Sequence, residues 1–392
     1  MKKIVIVGGG FGGVVAARKL SGKPGISVTL ISDLETYRYS AALYRVATGY
    51  RRRVALIPLA DILPNNVTLM HAKVTRIDRK LRKLHLKNGQ EVPYDTAILS
   101  MGATTSYFGI PGLPELSYGI KDIHSLDKLR THLHKELVAE HELDRNYVVV
   151  GGGPTGLELA AGLASYLRVL AKNHHIKKKS VHLELIEAAP RILPNMSPRA
   201  SRLVKRRLKK LGVKVMTGKT VESESEASLQ VSGKSIPSHT VIWTAGMANN
   251  GFYQDNANQF EFSKRHKIIV DSFLRVDPHV FVIGDNAETK YSGMAQTAVY
   301  QAEYAAKTIL KEANGRTPNI YRHRQPAYVV PAGGSWAVLQ YGPLVLSGFL
   351  AYLLRKAADI IGYAYVMGIR KSIQTWRQFD DLEEQCPVCR TT

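Results

Sequence analysis

Two glycine-rich hexapeptides are the stretches best suited to chemistry in this sequence: Gly8-Gly9-Gly10-Phe11-Gly12-Gly13 and Gly151-Gly152-Gly153-Pro154-Thr155-Gly156. In a strand-turn-helix unit the first glycine (Gly8, Gly151) permits the tight turn, and the second (Gly10, Gly153) lets the backbone approach a pyrophosphate. The third (Gly13, Gly156) lets helix and strand pack closely. The helix that follows adds about half a positive charge and free N–H groups at its start, both aimed at phosphate. An acid at the end of the next strand then holds ribose hydroxyls. After the first loop that acid is Asp33, with the preceding Ser32 hydroxyl the alternative ribose partner, and after the second it is Glu187. Two such sites in one chain imply two redox carriers held face to face, for which a flavin and a nicotinamide are the natural pair. Glu187 would repel a 2′-phosphate, which favours NADH over NADPH; Arg191, close by in sequence, works against that preference.

The elements that must position these loops are legible as periodicity. The run from Lys3 to Val7 reads as a short buried strand, Val14 to Leu20 as a helix and Ile26 to Ile31 as the next strand, which completes a βαβ unit. The pattern recurs with the strand Tyr147 to Val150, the helix Leu157 to Leu170 and the strand Val181 to Ile186. Residues 73–95 alternate around the turn Asn88-Gly89, a hairpin signal, and 213–245 alternate in the same way. A strand Val280-Phe281-Val282-Ile283 runs into Gly284-Asp285 ahead of the amphipathic stretch Ala295 to Leu310. The predicted class is α/β, with two Rossmann-like dinucleotide-binding domains in a glutathione-reductase-like arrangement and a C-terminal membrane-associating region. The expected divisions are 1–115 and 247–320 for the first nucleotide domain, 116–246 for the second, and 321–392 for the tail.

Composition narrows the remaining classes. With 392 residues, 45% hydrophobic and 22% charged, the chain is long enough for more than one buried core, and disordered and collagenous classes are excluded. Only Cys386 and Cys389 are present, so no disulfide scaffold holds the fold and a reducing compartment is the simpler reading. The apolar run behind Met1-Lys2-Lys3 stops at glycines after Val7, which is not a signal-peptide core and argues against secretion. A net charge of +22 must face something anionic. Nucleic acid is not favoured, because no reading module accompanies the basic runs Arg51-Arg52-Arg53, Lys177-Lys178-Lys179 and 202–210, which read as solvated faces.

Further motifs carry a family likeness. The two loops, together with Tyr44-Arg45-Val46-Ala47-Thr48-Gly49, Trp243-Thr244-Ala245-Gly246, Gly284-Asp285 and Ala295-Gln296, resemble the type II NADH dehydrogenases, single-subunit NADH:quinone oxidoreductases. The resemblance covers residues 3 to about 380. It implies the two-dinucleotide-binding-domain flavoprotein fold, with hydride passing from NADH to FAD and two electrons then passing to a membrane quinone without proton pumping. FAD would be held by Gly8, Gly10, Phe11, Gly12, Gly13, Asp33, Thr48, Gly102, Gly284, Asp285 and Gln296. NADH would be held by Gly151, Gly153, Gly156, Glu187 and Gly246. Glu158 matches a glutamate that organises the nicotinamide and links the NADH and quinone sites; without the resemblance it is a first-turn glutamate favoured by the helix dipole. Gln296 matches the first glutamine of a quinone motif whose second falls at Tyr300, while Gln301 comes one residue late on another helix face. Ser100-Met101-Gly102 stands where the family has an ATG-like turn, and the ribose acid falls one position late. No metal is expected, and the family leads to the expectation of a homodimer at the cytoplasmic face of the cell membrane.

The tail carries the membrane expectation. From Gln325 to Leu354 there is no charged residue, but Gly333-Gly334 and Gly342-Pro343 divide the run. The part after Pro343 is only about 16 Å long as a helix, too short to cross about 30 Å of hydrocarbon. A hairpin followed by interfacial helices at 344–356 and 360–379 is expected, with Phe349, Tyr352, Tyr363, Tyr365 and Trp376 as anchors. Arg355, Lys356, Arg370, Lys371 and Arg377 would face anionic headgroups. The alternatives for this region are a dimer interface or a core helix pair. Cys386-Pro387-Val388-Cys389 has no second CxxC to complete a four-thiolate metal site. Two rival functions stay open: a sulfide:quinone reductase working through cysteine, and a flavin redox sensor in which Tyr300 marks a degraded quinone pocket.

Overall fold

A computed structural model describes residues 1–139, 146–173, 175 and 182–381. The first nucleotide unit forms a six-stranded sheet in the order Arg275–Asp277, Val280–Val282, Thr96–Leu99, Lys2–Val7, Ile26–Ser32, Val67–His71. All neighbours are parallel except the first pair. Its central strands carry near-continuous apolar runs because both faces are covered, which is the burial a parallel sheet requires. The second unit repeats the scheme with four parallel strands in the order Val213–Thr217, His182–Glu187, Asn146–Val150, Thr240–Trp243.

Each unit inserts a three-stranded antiparallel meander before its returning strand. One comprises Val74–Asp78, Lys83–Leu86 and Glu91–Pro93; the other comprises Val221–Ser225, Ser228–Val231 and Lys234–Pro237. The two chain crossings between the units pair with each other, Ala103–Thr105 antiparallel to Met247–Asn249, so the units are tied by a two-stranded ribbon. The glycine loops lead into the helices Phe11–Leu20 and Pro154–Asn173, and Phe11–Leu20 packs against the long helix Ala295–Ala313.

The C-terminal region departs from its sequence expectation in three ways. Leu344–Gly348 is the third strand of an antiparallel sheet with Tyr328–Pro331 and Ala337–Tyr341, not the start of a helix. The helix runs unbroken from Phe349 to Met367, and the break falls at Gly368, whose φ of +77° ends it before Ile369–Arg377. Tyr363 and Arg355 are not at a headgroup surface. Tyr363 is fully buried, its ring stacked on Tyr39 at 4.3 Å and its hydroxyl donating to the Val54 carbonyl. Arg355 is buried in an ion pair with Asp359 at 2.7 Å. Among the described residues no helix is long and apolar enough to cross a membrane. Cys386 and Cys389 lie outside the described residues.

Candidate cofactor-binding and active site

The two loops are built alike. Gly8 N–H donates to the Ile31 carbonyl and Gly151 N–H to the Ile186 carbonyl, each at 2.8 Å. A Cβ on Gly13 would overlap the Gly8 carbonyl oxygen, and one on Gly156 the Gly151 carbonyl oxygen, so the third glycine is demanded by helix–strand contact in both copies. Gly10 and Gly153, by contrast, face open space. Such an opening leaves room for a pyrophosphate to approach the backbone. The helix beginning at Phe11 has no side-chain cap, which leaves its first N–H groups for phosphate oxygens.

Val7 pairs with Ile31 and Val150 with Ile186, so Ser32 occupies the position equivalent to Glu187 and Asp33 follows it by one residue. Ser32 is buried with its hydroxyl in the turn at Leu34, while Asp33 is exposed and near Arg38. In the second copy the Glu187 carboxylate accepts from Gly152 N–H and Ala189 N–H, both at 2.6 Å, and so seals the back of the loop. Arg191 is spent on the carbonyls of Leu193, Met196 and Pro194, which takes its guanidinium away from a 2′-phosphate.

The far side of the first site is formed by Gly284-Asp285 and the start of helix Ala295–Ala313, which also lacks a side-chain cap. Burial raises the Asp285 carboxyl, opposed by Lys267, Lys121 and N–H donation from Ala103 and Gly293. The Asn286 Oδ1 and Thr297 Oγ1 atoms are buried beside this turn with no hydrogen-bond partner among the described residues. These orphaned polar atoms, two uncapped helix starts and the open second glycine, Gly10, fit a flavin dinucleotide in the first unit. Lys121, which sequence reasoning did not single out, donates to the Gly246 carbonyl at 3.0 Å and sits within electrostatic reach of Asp285. A lone lysine in a linking loop carries no sequence signal. Phe11 packs on Tyr37 and Tyr39, and Thr48 turns its hydroxyl onto the Tyr44 and Arg45 carbonyls, so both shape the wall rather than offer a free polar group. Gly12 lies against Ser100, and Gly102 makes the turn after strand Thr96–Leu99 with φ +67°.

Glu158 is brought together with residues from three segments. It lies on helix Pro154–Asn173, 9% exposed, and burial raises its carboxyl to about 8; Arg355 and Arg45 pull it down and Asp359 pushes it up. Arg355 donates to Ala41 O and pairs with Asp359, which also accepts from the Tyr39 hydroxyl at 3.0 Å. Neither Arg355 nor Asp359 was expected here, although Arg355, Asp359 and Tyr363 recur at i, i+4, i+8, a face the sequence displays.

The glutamine motif is divided by its helix. Gln296 accepts from Ala327 N–H at 3.1 Å. One turn on, Tyr300 lies under the Arg324 guanidinium at 5.3 Å, and burial raises its phenol, with Tyr365 and Tyr341 acting in the same sense. Gln301 is fully buried, accepting from Gly284 N–H at 2.6 Å and donating to Thr289 at 2.8 Å. It therefore supports the Gly284-Asp285 turn and does not share the face of Gln296 and Tyr300.

A profile of the pyridine nucleotide-disulphide oxidoreductase family matches residues 2–302. The chain is 30% identical over 408 residues to a type II NADH:quinone oxidoreductase of Mycobacterium tuberculosis, covering 95% of this chain and 86% of that protein. It is 26% identical over 383 residues to the Staphylococcus epidermidis enzyme of the same name, covering 91% and 94%. Among solved structures, NDH2 from Plasmodium falciparum in complex with NADH superposes with a TM-score of 0.85 at 18% identity, covering 96% of this chain and 97% of that one. The sulfide:quinone oxidoreductase of Aquifex aeolicus gives 0.77 at 18%, covering 95% and 92%. At such identities these two show the fold alone. The matched profile and the curated relatives, together with the paired loops, show that this chain belongs to the pyridine nucleotide-disulphide oxidoreductases, among the type II NADH:quinone oxidoreductases.

Proposed function

We propose that this chain is an FAD-dependent NADH:quinone oxidoreductase that works without pumping protons. The observation that carries the reading is the duplicated loop: two nucleotide cradles, one backed by Glu187 and the other closed by Gly284-Asp285, in a chain whose curated relatives bear that enzyme name. FAD, when bound, supplies a two-electron acceptor for hydride and a donor for quinone. The chain positions and charges the surroundings. Gly10 and Gly153 leave room for a pyrophosphate to approach the helix start in each unit, while Gly8 and Gly13, and Gly151 and Gly156, shape the turn and the helix–strand contact behind it. Asp285 takes a flavin side-chain hydroxyl, and Glu187 takes the NADH ribose. Lys121 and Lys267 bring positive charge to the Asp285 side of the site. Glu158, held as an acid at neutral pH by burial, keeps a proton near the reacting ends. Gln296 and Tyr300, one turn apart on one helix face, would contact the quinone ring, the phenol replacing an amide.

The same proposal places the protein on a membrane. Phe349, Leu350, Leu353, Leu354 and Ile361 are between 40% and 62% exposed on one face of the helix Phe349–Met367, an apolar strip suited to lie in a lipid interface. A homodimer at the cytoplasmic face belongs to this reading through family likeness. The described residues contain no cysteine, so a sulfide chemistry built on a thiol beside the flavin has no support in the two nucleotide units.

Anaerobic stopped-flow tests the reaction. Purified protein is mixed with NADH and then with a soluble quinone while flavin absorbance is followed. Fast bleaching and fast recovery are expected. Bleaching without recovery would remove quinone as acceptor, and no bleaching would overturn the NADH assignment.

A further inference from the structure

The helix Pro198–Lys210 belongs to the second nucleotide unit, yet it is built against the C-terminal sheet. The backbone N–H of its cap residue Ser197 donates to the Gln340 side-chain Oε1 at 2.8 Å, and Arg207 donates to the Ala332 and Gly333 carbonyls at 3.0 and 2.7 Å. The start of the helix therefore lies beside the turn that follows Gln340, where Tyr341 and Leu344 are paired across the strands and are 57% and 53% exposed. The strand from Leu344 leads directly into the exposed apolar strip of the helix Phe349–Met367.

The buried side of the basic helix is Ala200, Ser201, Val204 and Leu208. Its outer side carries Arg199, Arg202, Arg206 and Lys209 at i, i+3, i+7 and i+10, one stripe along the helix, flanked by exposed Lys205 and Lys210. The helix contains no acidic residue, and none of these six cations forms an ion pair with a described residue. Like charges one turn apart repel, and Arg199 and Arg202 stand at the end of the helix where the backbone dipole favours anions. Only Lys209 and Lys210, in the last turn, are favoured by that dipole; the repulsion among the others is not offset by a described partner.

We infer that this stripe is a headgroup-binding rim for anionic phospholipid, continuous with the apolar strip, so that the second nucleotide unit itself touches the membrane surface. Charge complementarity and adjacency to the Tyr341–Leu344 turn support the assignment. It rests on the membrane reading above. A solvated face, a second copy of this chain and a nucleic acid are the other occupants.

The test is co-sedimentation of the full-length FAD-loaded protein with vesicles of phosphatidylcholine alone and with phosphatidylglycerol added, at low and high salt. The variant carries Arg199→Gln, Arg202→Gln, Arg206→Gln and Lys209→Gln together. Since a basic residue near an anionic surface changes partitioning roughly fivefold, the variant should bind the phosphatidylglycerol vesicles at least tenfold more weakly at low salt. Its binding to neutral vesicles and its oxidation of NADH with a soluble quinone should be unchanged. Undiminished preference for phosphatidylglycerol in the variant overturns the rim, as does a change of oligomeric state with no change in vesicle binding. A companion variant, Leu350→Ser with Leu354→Ser, separates the two readings: failure of the native protein to bind either vesicle overturns the membrane reading itself, whereas loss of binding only in this companion leaves the rim to be judged by the first variant.

Discussion

Glu158 has almost no solvent and a mixed set of charged neighbours, and each makes a separable contribution. Burial is the largest influence and raises the carboxyl to about 8, from an ordinary value of 4.5. A carboxyl raised on folding contributes stability that is complete below its ordinary pKa and is lost as pH climbs through the folded value. Between about pH 5 and 8 the protein should therefore lose a few kcal/mol from this group alone. Glu158→Gln, which cannot ionise, should flatten the melting temperature across that range and be the more stable protein at pH 8.5; parallel melting curves for both proteins would refute the assignment. Asp359 itself pushes the Glu158 carboxyl up, against the pull of Arg355. Removing its charge with Asp359→Asn leaves Arg355 nearer to Glu158 alone, so the carboxyl pKa should fall by about one unit. The corresponding limb of the kcat profile should move to lower pH. A residue holding only the helix in place would reduce kcat at all pH values without moving the limb.

At the scale of elements, the third glycines decide binding by steric exclusion and the second by access. Gly13→Ala should yield colourless protein, because the new methyl overlaps the Gly8 carbonyl and drives the helix from the strand. Gly156→Ala should keep its flavin yet raise the KM for NADH at least tenfold, measured by steady-state oxidation. Gly10→Ala has room for the methyl in the folded protein, so it should fold and lose FAD affinity only through the blocked approach. These elements are readable in sequence because turn, strand and helix signals coincide within a few residues. Sequence leaves Asp33 and Ser32 both open because an acid beside the strand end is visible there while strand register is not; the pairing of Val7 with Ile31 puts Ser32 at the position of Glu187, with Asp33 next to it. Leu344-Val345-Leu346 was read as helix because a short apolar run that flows into a helix has no period of its own. Arg355 was assigned to headgroups because basic residues near an apolar helix suggest lipid, although its spacing with Asp359 and Tyr363 already marks an inward face.

At the scale of the whole molecule, the C-terminal region is core as well as surface. The inner face of Phe349–Met367 inserts Tyr363, Val366 and Met367 into the same apolar core that lies behind the first glycine loop, and Tyr363 stacks on Tyr39, which in turn packs on Phe11. The outer face carries the exposed leucines. A segment merely appended to a finished fold could be removed without disturbing the first nucleotide unit; this one cannot. Tyr363→Ala deletes a fully buried ring and should cost about 3–5 kcal/mol, lowering the melting temperature and the fraction of protein purified with flavin. Leu350→Ser with Leu354→Ser changes residues that are 58% and 40% exposed, so melting temperature and flavin content should stay near the native values while vesicle binding falls. Vesicle co-sedimentation and the flavin-to-protein absorbance ratio read the two faces independently. If Tyr363→Ala kept its full flavin content, the packing that joins the tail to the first nucleotide unit would have no part in holding the cofactor, and the C-terminal region would be an anchor after all.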